Sequence, residues 1–192
     1  VALAAYETSA QSPSTRFQTH AQARRPFAAG RPAPFHHHRH LYDRRRLLDA
    51  TLKARLVTLS HALFAEKQWG LEHWVVLDNH YHLIAKSREG SALPGLIRDL
   101  HSKSAQLIRE RTRCATPVWY NYWDDCLRDE RDYYRHLNDL LWNPVKHGYV
   151  QNLNDWPFSS FHELIAAQGR EHLVAQFKSY PDFRGLDLDD DD

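Results

Sequence analysis

Leucines at positions 48, 52, 56, 59 and 63 recur at helical spacing and predict an amphipathic helix over residues 44–67, closed by Gly70. The pattern then changes period. Residues 72–86 read as extended, His73 to Leu77 and His80 to Ala85, with Asp78-Asn79 as the turn of a β-hairpin. A second helix follows at 91–112, with Leu93, Ile97, Leu100, Ser104 and Leu107 on one side and basic residues on the other. Val118 to Trp123 predicts a short aromatic strand, and a third helix runs from 129 to 142, ending near Pro144 because a residue before proline is pushed out of the α region. A last short helix falls near 160–167. This order is that of an α+β, ferredoxin-like antiparallel sheet with helices packed on it. The fold requires a first strand at 34–42, where Pro-Phe-His-His-His-Arg-His-Leu-Tyr is a poor strand former, so that strand is poorly defined. The expected organisation is a disordered extension over 1–40, a domain over 41–166, and a C-terminal tail over 167–192 with an acidic end.

Composition narrows the class. A hydrophobic content of 42% and an aromatic content of 12% over 192 residues supply one core. No apolar run approaches the ~20 residues of a membrane helix, and two cysteines make no disulfide framework, so a soluble cytoplasmic protein is expected. The net charge of +1 conceals asymmetry: five of the last six residues are Asp, and residues 98–113 hold Arg98, Lys103, Arg109, Arg111 and Arg113. A basic body with an acidic tail suits a nucleic-acid binder, and equally suits ordinary solvated faces. The sequence begins at Val1 and contains no Met, which reads as a fragment or a frame lacking its start.

The chemistry concentrates in His80-Tyr81-His82. Two imidazoles two residues apart on a strand project from one face, and a pair of neutral ring nitrogens is half of a divalent-metal site. His36-His37-His38-Arg39-His40 resembles a metal tag but is internal, and is read as an accidental basic cluster.

Four segments in order carry more: Trp74-Val-Val-Leu-Asp-Asn-His-Tyr-His-Leu83, Val118-Trp-Tyr-Asn-Tyr-Trp-Asp-Asp-Cys-Leu-Arg-Asp-Glu130, Asn143-Pro-Val-Lys-His-Gly-Tyr-Val150 and Asp155-Trp-Pro-Phe-Ser-Ser-Phe161. Together they resemble the REP-associated tyrosine transposases, a domesticated branch of the insertion-sequence transposases acting on single-stranded DNA. The resemblance implies the HUH motif at His80 and His82, a third metal ligand at Asn143, and Mg²⁺ or Mn²⁺ polarising a scissile phosphate. It implies single-stranded or hairpin DNA as partner, and a monomer or a homodimer. It also implies a nucleophilic tyrosine one helical turn before the third ligand, and there this chain has Asp139. Tyr133 and Tyr134 point elsewhere on the helix at about 100° per residue.

Two functions follow. One is metal-dependent cleavage and strand transfer of single-stranded DNA near palindromic repeats. The other is a catalytically inactive descendant that binds hairpin-forming repeats, and a decayed gene copy with an out-of-frame opening would fit it. An unrelated metal hydrolase with a chance histidine pair is the weaker alternative. Candidate phosphate contacts are Arg98, Lys103 and Arg109 on the second helix and Lys146 and His147 past the third. Tyr120 and Tyr122 are candidates for stacking on unpaired bases, whereas Trp119 and Trp123 read as core.

Overall fold

The computed structural model describes residues 33–42, 45–87, 92–114 and 117–185. The expected disorder of residues 1–32 and the acidic end beyond 185 lie outside them. The elements run β1 (Ala33–Leu41), α1 (Ala50–Glu66), β2 (Gly70–Val76), β3 (His80–Ser87), α2 (Leu93–Thr112), β4 (Trp119–Cys126), α3 (Glu130–Lys146), α4 (Phe161–Gln168) and α5 (Arg170–Ser179), with 3₁₀ turns at Leu153–Asp155 and Pro181–Gly185. The sheet order is β2-β3-β1-β4, and each paired neighbour is antiparallel. That is the ferredoxin-like α+β architecture expected from the sequence.

The poorly defined first strand is in fact central. β1 pairs with β3 on one side and β4 on the other, so its backbone is hydrogen-bonded along both edges whatever its side chains prefer. Tertiary pairing overrides the weak local propensity. Residues 33–40 therefore belong to the folded sheet, not to an extension. A register shift between Arg39 and Leu41 marks a β-bulge against β4. The bulge changes the facing parity of β4, so that Trp119 and Asp124 both reach the α2 side.

Two cores sandwich the sheet. Leu52, Leu56, Leu63 and Phe64 of α1 and Leu96, Ile97, Leu100 and Ile108 of α2 pack against Trp74, Val76, Tyr81, Leu83 and Ala85. Val75, Leu77 and Ile84 point the other way, onto Leu137, Leu140 and Leu141 of α3 with Leu164 and Leu173 behind them. The alternation along β2 and β3 is the period-2 signature of strands covered on both faces.

Local chemistry sets the boundaries. α1 starts later than the leucine pattern suggests because the Asp49 carboxylate accepts from the Leu52 N–H and caps the helix there. α3, expected to stop before Pro144, continues to Lys146. Pro144 sits in the last turn, where it forfeits one backbone donor, and its ring is buried; Gly148 at φ 70° then closes the helix. Beyond it, Val76 N–H donates to the Phe158 carbonyl and Ser160 N–H to the Trp74 carbonyl, which covers the outer edge of β2. The segment read as a tail from 167 is also structured through Gly185. Leu173 and Phe183 are buried, and the Gln176 amide donates to Asn138 of α3 at 2.7 Å.

Several histidines are buried as neutral bases. Burial lowers His73 to about 4 and pushes His101 well below the usual imidazole range. A histidine with a depressed folded-state pKa costs stability once the unfolded chain takes up its proton. Unfolding free energy from urea titrations should therefore be steady above about pH 7.5 and fall as the pH drops through 6.5 toward 4, with His73 contributing on the order of 2–3 kcal/mol of that loss after allowance for its residual exposure. His73→Phe should flatten part of the slope.

Candidate metal centre

The β1–β3 register places His38 opposite His82 and His40 opposite His80. Paired residues on neighbouring strands point to the same face, so one surface under α3 carries a row of imidazoles. His40 stacks on His80 at 4.6 Å between ring centroids, His38 on His82 at 5.3 Å and His36 on His82 at 5.4 Å. The internal histidine run is thus no accidental cluster. Its even members line the same face as the His80–His82 pair, and its odd members, His37 and Arg39, serve the opposite face.

α3 supplies the other half. The Oδ1 atom of Asn143 lies 2.9 Å from Nε2 of His80, and both side chains are buried. His80 Nδ1 lies 2.8 Å from Oδ1 of Asn79, and in the tautomer with its proton there the Nε2 lone pair faces Asn143. Two acceptor atoms at that spacing fit adjacent ligands on one small cation, since ligands about 2.1 Å from a metal at right angles lie about 3 Å apart. The Asn143 amide nitrogen has no hydrogen-bond partner among the described residues. The donor set fits a divalent metal, and His36, His38 and His82 add a further group of ring nitrogens within 4.8 Å of one another.

Asp139, at 1% exposure, lies one turn before Asn143 with the Lys146 ammonium 3.5 Å from its carboxylate. The His147 ring is exposed and sits 4.8 Å from His80, edge to face. So His80, His82, Asn143, Asp139, Lys146 and His147 come together. Arg98, Lys103 and Arg109 do not: they are exposed on α2, which covers the other face of the sheet. Tyr133 donates to Glu72 and meets His73 at the β2 edge, and Tyr134 stacks on Tyr180 at 4.8 Å. Trp119 is core, as expected, and Tyr120 is 49% exposed. The side chains of Tyr122 and Trp123 lie outside the described residues.

Tyr81, between the two histidines, anchors the strand from behind. Arg39 donates to His101 Nδ1 at 2.7 Å, His101 Nε2–H to the Tyr81 oxygen at 2.5 Å, Tyr81 O–H to His37 Nε2 at 3.0 Å, and His37 Nδ1–H to Asp124. The ends fix the direction, since arginine can only donate and the carboxylate only accept. Sequence reasoning missed this relay. His37, Arg39, His101 and Asp124 come from two strands and a helix, and only β1's place in the sheet joins them to Tyr81 of β3. Tyr81→Phe should break the chain at its middle and cost about 1–3 kcal/mol in urea unfolding with an unchanged m-value.

A ferredoxin-like sheet presenting two strand histidines to a helix-borne amide is the architecture of the HUH class of single-strand DNA transposases. The family described as "Transposase IS200 like" matches residues 36–125. A REP-associated tyrosine transposase of Escherichia coli is 32% identical over 114 residues, which span 56% of this chain and 66% of that protein. A relative from Haemophilus influenzae is 31% identical over 104 residues, 48% of this chain and 59% of its own length. A REP-associated tyrosine transposase solved bound to a REP hairpin superposes with a TM-score of 0.60 at 26% identity, covering 78% of this chain and 87% of that one. The chain belongs to the IS200-like transposase family, in its REP-associated tyrosine transposase branch.

Proposed function

We propose that this chain binds hairpin-forming single-stranded DNA across the α3 face of its sheet, with Mg²⁺ or Mn²⁺ held by His80, His82 and Asn143. The observation that carries the reading is the His80–Asn143 pair, a buried ring nitrogen and a buried amide oxygen brought from strand and helix to 2.9 Å. When bound, the cation supplies Lewis-acid polarisation of a phosphate. Exposed Lys146 and His147 stand beside it, within reach of the substrate backbone. Exposed Tyr120, next to Tyr42 at 6.2 Å, offers a face for an unpaired base. Arg98, Lys103 and Arg109 take the part of the hairpin that passes around to the α2 side.

Asp139 decides between binding and catalysis. It stands where the family has its tyrosine, and a carboxylate does not copy a phenolate: its phosphate ester would be a mixed anhydride, and its charge repels the DNA. The buried carboxylate with Lys146 at 3.5 Å is an internal ion pair in place of a nucleophile. We read the chain as a DNA-binding descendant that retains the fold and the ligand set without covalent strand transfer. Active cleavage and strand transfer is the second reading, and one observation favours it. Tyr149, two residues past His147, places its phenol at the Asp78 backbone N–H, beside the turn that leads into His80. Burial holds that phenol above its ordinary pKa.

Fluorescence anisotropy with a labelled hairpin and an unstructured strand of equal composition tests the proposal. The hairpin should bind at least tenfold more tightly, and Mn²⁺ should strengthen its binding in the chain as given but not in His80→Ala. Lys146→Ala should weaken hairpin binding and lower the salt slope by about one. Tyr120→Ala should cost about 1–3 kcal/mol without changing that slope. Equal affinity for both strands would remove the hairpin reading.

A further inference from the structure

The metal ligands discussed above occupy one end of the imidazole row. At the other end, the β1–β4 register sets His36 directly opposite Asp125, and α3 lowers His136 onto them. His136 lies seven residues before Asn143, two helical turns earlier on the same helix face and about 10 Å along the axis.

We propose that His36, Asp125 and His136 form a second divalent-metal site, for a borderline transition-metal ion of the Zn²⁺ or Co²⁺ kind, which fastens α3 to strands β1 and β4. One ligand atom from each of the three residues lies within 4.8 Å of the others. His136 Nδ1–H donates to its own helix at the Asp132 carbonyl, 2.7 Å away, so the proton is fixed there and Nε2 carries the free lone pair. A ring nitrogen held by a backbone carbonyl is how ligating histidines are oriented. The His36 ring is buried, and its Nδ1 atom has no hydrogen-bond partner among the described residues, a cost that metal coordination would relieve. Two imidazoles and one carboxylate suit Zn²⁺ or Co²⁺ better than Mg²⁺, which prefers an all-oxygen shell. Asp125 is exposed, so the fourth position opens to water and the ion has an entry path.

The site differs in position and ligand class from the one His80 and Asn143 build. The two ends touch through the 3.2 Å contact of His36 Nε2 with His82 Nδ1. An ion at the His36 end would hold the start of α3 and thereby the helix that carries Asp139 and Asn143.

The test is a Co²⁺ titration followed by visible absorption, with Zn²⁺ displacement, on the full chain and three variants. The chain as given should bind two equivalents. His80→Ala should lose one and keep the second, while His136→Ala and Asp125→Asn should weaken that second equivalent by about 100-fold or more. Zn²⁺ should raise the melting temperature of His80→Ala but not of His80→Ala/Asp125→Asn, whose metal-free melting should match because Asp125 is exposed. Should His80→Ala change nothing while Asp125→Asn abolishes binding, the second site stands and the first fails. Unchanged binding in both His136→Ala and Asp125→Asn, or no binding at all in His80→Ala, would overturn the second site.

Discussion

The pairing of β1 between β3 and β4 is the constraint on which everything else rests. It buries a strand with four histidines among its nine residues, a residue that local propensity would not choose for the centre of a sheet. The register then does two things at once. Even positions lay imidazoles beside His80 and His82, and odd positions hand His37 and Arg39 to the relay behind Tyr81. A one-residue slip would exchange the two sets and leave Arg39 on the α3 face.

Such a strand is costly unless its polar atoms are satisfied. On the α2 side the cost is met by a hydrogen-bonded chain running from a cation to an anion, each link fixing the proton of the next. On the α3 side the imidazoles stack in a row, and the groups within 4.8 Å there are of the kind that metals satisfy. The two faces thus solve the same desolvation problem differently. The relay makes Tyr81 rigid, and a rigid Tyr81 fixes the directions of the histidines on either side of it. Among the described residues no helix is long and apolar enough to cross a membrane, and both apolar faces of the sheet are covered by helices.

Much of this was legible in the sequence, for identifiable reasons. The leucine period of α1, the Asp78-Asn79 turn and the His80–His82 alternation are local signals, and they came out within a few residues. Asn143 was singled out by the family resemblance, not by any local pattern, and it lies against His80. What the sequence hid was non-local. β1 looked poor because its partners lie 40 or more residues away, α3 outran Pro144 because a proline in a last turn forfeits little, and α5 carries too weak an apolar stripe to announce itself. The basic face of α2 was read correctly as exposed, but only the sheet's two-sided layout shows that it turns away from the histidines.

On the proposed reading, the fold and the set His80, His82 and Asn143 remain in working order while Asp139 stands in place of a nucleophile. A covalent-adduct assay on hairpin-flanked single-stranded DNA with Mn²⁺, comparing the chain as given with Asp139→Tyr, tests it most directly. The account predicts a protein–DNA adduct that resists denaturation only in Asp139→Tyr, and its loss when His80→Ala is added. An adduct formed by the chain as given, and abolished by Tyr149→Phe, would contradict the account and make Tyr149 the nucleophile.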